Sequence, residues 1–173
     1  MRAGALGLPL ILGIIGGQPE RFKPLVDLYR EAARRAGHDP ATLPVAVNLH
    51  GFVGETTEAA VETFYGPYAA AMSQIGRERG WPPMSPPQFE ALRAPGGSLA
   101  VGDVEGVTAK LTAVSELLDV DRILLHVSVG TMPHEDVMRA IELLGAEVAP
   151  AVRTARSRET IGSGGATRGA PLS

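Results

Sequence analysis

At 173 residues, with 45% hydrophobic and 20% charged side chains, the chain can bury one core and reads as a single domain of ordinary soluble composition. A net charge of -3, with Lys and Arg scattered along the sequence, leaves no electrostatic footprint for nucleic acid or an anionic membrane and points to a small-molecule or protein partner. No cysteine is present, which excludes disulfides and thiolate chemistry and suits a cytoplasmic protein, and His38, His50, His126 and His134 are too far apart for a His-x3-His metal signature.

Arg2 followed by the apolar run Leu6 to Ile15 imitates a secretory leader, but no small-x-small cleavage site follows and the run is too short to span a bilayer. Leu8 to Ile15 is apolar on both parities, as in a strand covered on both faces, and Gly16-Gly17 ends it. Pro19 opens a helix whose apolar spacing runs from Phe22 to Ala36, with Pro24 making the first turn irregular and Gly37 stopping it.

The unit repeats. Val45 to Val53 predicts a strand, and Thr56 or Thr57 caps a helix running through Phe64 and Tyr65 towards Ile75. From Gly80 to Gly97 the Pro- and Gly-rich sequence predicts an excursion with a short helix near Gln88 to Leu92, the kind of loop that often covers a site. Asp103 caps the next helix, Arg122 to Val129 forms the third strand, and Pro133 opens a last helix with Val137, Ile141, Leu144 and Val148 on its apolar stripe. Pro150 and the polar, Gly-rich segment 154–173 predict a disordered tail.

Strands alternating with helices imply right-handed βαβ connections and a parallel α/β sheet. Three strands are too few for a complete (β/α)8 barrel, which usually needs about 250 residues. A barrel would therefore require strands outside this chain, and a small open sheet is the alternative.

Strand parity places candidate site residues. In the second strand Val45, Val47, Leu49 and Val53 share an apolar face, while Ala46, Asn48, His50 and Phe52 share the other; in the third, Arg122, Leu124, His126 and Ser128 lie opposite an all-apolar face. In a barrel, Asn48, His50, His126 and Ser128 would project inward, with His50 and Ser128 nearer the C-terminal mouth. The competing reading is internal hydrogen bonding that fixes the core, favoured for His126, which sits deep in its strand. Thr131 to His134 form the loop and helix start after the third strand, where free N–H groups can meet an anion or simply be capped, and Gly16-Gly17 reads as a sharp turn or a ligand contact. Phe64, Tyr65 and Tyr68 read as core. No nucleophile elbow, phosphate loop or dinucleotide fingerprint occurs.

The stretch Arg2 to Leu10 leading into Gly16-Gly17, the helix Phe22 to Gly37, the strand ending His50-Gly51-Phe52, Val101-Gly102-Asp103 before a helix, and Ser128 to Glu135 leading into Val137 to Leu143 occur in the order seen in luciferase-like monooxygenases. The chain resembles the C-terminal part of that family from Arg2 to Arg153. The resemblance implies strands six to eight of a (β/α)8 barrel with an insertion, and reduced FMN or a deazaflavin at the barrel mouth. It further implies that the family's phosphate-holding turn, which belongs to the fifth strand, precedes Met1. His50 and Ser128 would then contact the isoalloxazine or substrate, with Gly16, Gly17, Asn48 and Thr131 as further cofactor- or substrate-binding candidates and no residue assigned as general base. The expected protein is thus a truncated part of a cytoplasmic flavin- or deazaflavin-dependent oxidoreductase whose partner is a chain supplying the missing strands or a second copy. The competing expectation is a non-catalytic α/β module that folds by oligomerisation.

Overall fold

The computed structural model describes the backbone of residues 1–163 and the side chains of residues 1–156. A helical turn, α1 (Arg2–Ala5), precedes strand β1 (Leu10–Ile14). The apolar N-terminal run is therefore divided, with Gly7 bending the chain at φ 66° between the two pieces. A 3-10 turn over Pro19–Phe22 leads into α2 (Lys23–Arg35), which accommodates Pro24 in its first turn, where the missing N–H breaks no bond.

Strand β2 (Val45–Val53) is followed by α3 (Thr57–Arg79), longer than its apolar pattern suggests. Thr56 accepts a hydrogen bond from the Ala59 N–H at 3.2 Å to cap its start, and Gly80 ends it in the left-handed conformation. Gly66 stands before Pro67 inside this helix; with no Cβ it avoids the clash that disfavours helical geometry ahead of proline. The excursion carries α4 (Pro86–Arg93).

A fourth strand, β3 (Ala100–Gly102), escapes sequence reading because three residues carry no periodicity. Asp103 then caps α5 (Val104–Leu118), accepting from the Gly106 N–H at 2.8 Å and from the Thr57 hydroxyl at 2.9 Å, so one carboxylate ties the starts of two helices together. Strand β4 (Arg122–His126) stops three residues short of its expected end at Val129, and α6 (His134–Leu143) follows.

The last helix does not stop at Pro150. A π turn over Leu144–Val148 joins α6 to α7 (Ala149–Ser163), and the widened turn just before Pro150 removes the ordinary i−4 geometry with which a helix-interior proline collides. Over 154–163 the backbone is helical where a disordered tail was expected; 164–173 of that expectation lie outside the described residues.

All pairing is parallel and centred on β2. It pairs with β1 from Leu10↔Val45 to Ile14↔Leu49, with β4 from Ala46↔Arg122 to His50↔His126, and with β3 from Gly51↔Ala100 to Val53↔Gly102. Asp121 fixes the start of β4: its carboxylate accepts from the Val45 N–H and its own N–H donates to the Val45 carbonyl, both at 2.8 Å. One face of the sheet, through Ile14, Val45, Val47 and Leu49, packs with Val26 and Tyr29 of α2 and Val107, Leu111 and Val114 of α5. A second apolar cluster joins Phe52 to Phe64, Tyr68, Phe89 and Leu99 above the C-terminal end of β2.

The opposite sheet face carries Ile11, Gly13, Ala46, Asn48, His50, Leu124 and His126, as strand alternation in the observed register requires. Ile11 on this face is 62% exposed and Leu124 37%. A parallel sheet normally buries both faces, and this one leaves Ile11 and Leu124 of its second face exposed.

Candidate functional site

On the open face, register brings His50 and His126 side by side, with ring centroids 5.3 Å apart. Asn48 lies two residues earlier on the same face of β2. With Gly13, Ile15 and His126 these residues line a small cavity of about 160 Å³. His50 also meets Tyr68 of α3 edge to face at 5.7 Å. The His50 Nδ1 and the Tyr68 hydroxyl are both buried and have no hydrogen-bond partner among the described residues. Two buried polar atoms without partners cost stability unless something else satisfies them.

Burial, reinforced by the positive charge His126 can carry, holds His50 below the usual histidine value. It is a neutral imidazole at pH 7, with one donor and one acceptor nitrogen. Burial pushes the Tyr68 phenol up to about 12, so it stays protonated. Because the folded form of His50 resists protonation, the unfolded chain binds the proton more readily. Stability is therefore complete above the unfolded histidine value near 6.5 and is lost as pH falls through the window below it. The expected result is a melting temperature that falls on acidification below pH ~6.5, with a shallower fall in His50→Gln, read by circular dichroism.

Beside this face lies a larger cavity of about 670 Å³, lined by Ile15, Gly16, Gly17, Tyr68, Met72 and Trp81 and, from the excursion, by Met84, Gln88, Leu92 and Gly97. Ile15 borders both cavities, so they adjoin. The excursion forms a held wall. The Met84 N–H donates to the Ser73 hydroxyl at 3.0 Å, and the Trp81 N–H donates to the Gly76 carbonyl at 2.8 Å. The Lys110 ammonium donates to the Ala94 carbonyl, to that of Pro95 at 3.1 Å and to that of Gly97 at 2.9 Å.

The structure thus groups Asn48, His50 and His126 at one cavity and puts Gly16 and Gly17 at the rim of the other. Ser128 and Thr131 join neither. Pairing with β2 ends at His126, beyond which β2 pairs with β3, so strand parity does not extend to Ser128; both residues are exposed in the loop before α6. Between them Gly130 has φ 71°, and a Cβ there would lie 2.7 Å from the Pro67 carbonyl. Gly130→Ala is expected to cost about 2 kcal/mol through strain and overpacking, measurable as a lowered denaturant midpoint with unchanged slope.

Sequence reading missed Tyr68, Trp81, Met84 and Gln88 as cavity residues. The one available signal was the Pro- and Gly-rich composition of 80–97, which marks a covering loop but not which of its side chains turn inward. Among the described residues no group of three or more His, Asp or Glu is placed to hold a metal ion, and no helix is long and apolar enough to cross a membrane.

A family model described as luciferase-like monooxygenase matches residues 1–121. Comparison with curated protein sequences gives no significant match. Among solved structures, the chain is similar to the monooxygenase RslO1 from Streptomyces bottropensis, with 21% identity and a TM-score of 0.67 over 86% of this chain and 43% of that one. It is also similar to the oxygenating constituent of 3,6-diketocamphane monooxygenase from Pseudomonas putida, solved in complex with FMN, with 22% identity and a TM-score of 0.63 over 87% of this chain and 44% of that one. A third is the coenzyme F420 dependent tetrahydromethanopterin reductase from Methanopyrus kandleri, at 19% identity and a TM-score of 0.56 over 86% and 46% of the two chains. The chain spans less than half the length of each of these structures. Parallel strands around β2, a face left open in the manner of a partial (β/α)8 barrel, and a family model covering well over half of the residues lead to one conclusion: the chain belongs to the luciferase-like monooxygenase family.

Proposed function

We propose that this chain is the C-terminal part of a flavin- or deazaflavin-dependent oxidoreductase, with monooxygenation as its reaction class, and that Asn48, His50 and His126 line the inner face of its barrel. The observation that carries the reading is the orphaned, buried Nδ1 of His50 on a polar sheet face that open strands leave uncovered. That donor set fits a heteroaromatic ring rich in carbonyl and ring-nitrogen acceptors: a neutral imidazole can give or accept one hydrogen bond at each nitrogen, and the Asn48 amide can do both. The FMN bound in one similar structure and the F420 dependence of another support either cofactor for this chain.

When bound, the cofactor supplies the redox chemistry. Asn48 and His50 would orient it, the apolar wall from Tyr68 to Leu92 excludes water, and neutral His50 would donate an N–H hydrogen bond without adding charge to the site. Gly16 and Gly17 leave the rim free of side chains, so a ligand can approach the backbone there. Ser128 and Thr131 remain candidates only for contacts made beyond the strand ends. Completion of the site falls to the remaining barrel strands, on the same or another chain, because β2 is the only strand in the described sheet with partners on more than one side of its length.

Absorbance and fluorescence titration of the chain with FMN and with a deazaflavin tests the proposal. Saturable binding that weakens about tenfold or more in Asn48→Leu is expected, on the scale of a lost polar contact to a buried group. Equal binding by wild type and variant would remove the sheet face from the site. The second reading, a non-catalytic module that folds by association, is favoured by the exposure of Ile11 and Leu124 on the sheet and predicts a concentration-dependent melting temperature with no flavin binding.

A further inference from the structure

Ala94, Gly96 and Gly97, on the limb by which the excursion returns to β3, form part of the wall of the larger cavity. The carbonyls of Ala94, Pro95 and Gly97 on this limb converge on a single point, the ammonium of Lys110 on α5. An ammonium has three N–H donors and no acceptor, so three carbonyls use its whole capacity. Ala94 also closes the C-terminal end of α4, where backbone carbonyls left without helical partners favour a cation.

The charge on Lys110 is held by these dipoles rather than by an ion pair. Among the described residues no carboxylate pairs with it, and its neighbours one turn away on α5, Gly106, Val107, Ala113 and Val114, carry no charge. From α4 the one charge that acts on it is the guanidinium of Arg93, which is itself paired with Glu90 at 2.8 Å. Burial first, and Arg93 second, pull the Lys110 amine down to about 8, so the ammonium form predominates at pH 7.

The residue type matters as well. Lys23 and Lys110 are the only lysines among the 16 Lys and Arg residues of the chain, so arginine is its ordinary cation and Lys110 is an exception. A planar guanidinium spreads its N–H groups in one plane, whereas an ammonium directs three donors from a single nitrogen, as three converging carbonyls require.

We propose that these three carbonyls form a cation site, specific for a primary ammonium, which the chain fills from within, and that Lys110 is thereby the positioning residue that fixes the return limb as a wall of the larger cavity. The opposite limb is anchored separately, by the Trp81 N–H on the Gly76 carbonyl and the Met84 N–H on the Ser73 hydroxyl. The proposal is independent of the flavin reading and is tested on the chain without cofactor.

Amide hydrogen exchange followed by NMR reads the two limbs apart. The Gly97 and Leu99 N–H groups, which donate to the Ala94 and Leu92 carbonyls at 2.8 and 2.9 Å, report on the return limb, and those of Trp81 and Met84 report on the other. Lys110→Ala should speed exchange at Gly97 and Leu99 about tenfold or more and leave Trp81 and Met84 within about twofold. Added propylammonium, which replaces the deleted atoms, should restore protection saturably; propanol should not, and Lys110→Arg should behave like Lys110→Ala. The unaltered chain supplies a measurement that needs no variant to fold: the ammonium protons of Lys110 should exchange with water about tenfold or more slowly than those of Lys23, which stands on the exposed side of α2 beside Asp27. Unchanged protection in Lys110→Ala, equal acceleration in both limbs, full protection in Lys110→Arg, or restoration by propanol as good as by propylammonium would each overturn the assignment. So would Lys110 ammonium protons that exchange as fast as those of Lys23.

Discussion

Gly51→Ala is expected to destabilise the chain by about 3 kcal/mol, the upper end of what overpacking a closed interior costs. Gly51 lies on β2 directly after His50, where β2 passes from its pairing with β4 to its pairing with β3. An added Cβ would stand 2.4 Å from the Ala100 carbonyl oxygen and 2.6 Å from the Leu125 Cδ1. The leucine tip can swing away; the carbonyl belongs to the paired strand and moves only if β3 moves. For a domain of this size the loss corresponds to roughly 6–12 °C in melting temperature. Gly145→Ala is the matched control, because a Cβ there meets nothing within 4 Å and the position lies in helical backbone. It should be neutral or stabilise by up to about 1 kcal/mol. Similar losses in both variants would show that β2 and β3 do not approach as described.

At Tyr68 two substitutions are expected to move stability in opposite directions. Its ring is fully buried, stacks on Phe64 at 5.3 Å, and touches Phe89 at 5.9 Å and His50 at 5.7 Å. Tyr68→Ala removes the centre of that aromatic cluster and should cost about 3–5 kcal/mol, as large-to-small changes of aromatic residues in cores do. Tyr68→Phe keeps the ring and deletes a buried hydroxyl without an acceptor, so it should raise stability by about 1 kcal/mol. Chemical denaturation of the three proteins measures both. A destabilised Tyr68→Phe would mean that the hydroxyl has a partner in solution. A stabilised one would leave a polar atom whose retention folding does not explain, on a ring that also meets His50, whose Nδ1 is in the same condition.

The fold was largely legible because its elements are long and strongly patterned. Alternation along Val45 to Val53 and Arg122 to His126 gave both faces of the central strands, and Asn48, His50 and His126 stand on the shared face that parity assigned. Short-range pattern fails where tertiary pairing decides. Ala100–Gly102 becomes a strand only because Gly51 to Val53 accept it as a partner, and Val127 to Val129, apolar enough to continue a strand, have no ladder to join. That loss of pairing removed Ser128 from the face where its parity had placed it. Pro150 misled for a related reason, since a proline ends an ordinary helix but is tolerated after the π turn over Leu144–Val148. Tyr68 was read as core, correctly by burial, yet the same ring borders the larger cavity and the His50 side chain. One-dimensional spacing does not separate those two roles.

The four histidines provide the most direct test of the proposal that the open sheet face is where the chain binds a flavin. His50 and His126 share the open sheet face, whereas His38 packs against Gly7 and His134 begins α6. Proton NMR of the imidazole C2–H signals, assigned by single His→Gln variants, should show the His50 and His126 resonances moving together and saturably as FMN or a deazaflavin is added, with those of His38 and His134 stationary. Flavin binding that leaves His50 and His126 unmoved, or that shifts His38 or His134 in their place, would contradict the assignment of this sheet face as the cofactor side of the barrel.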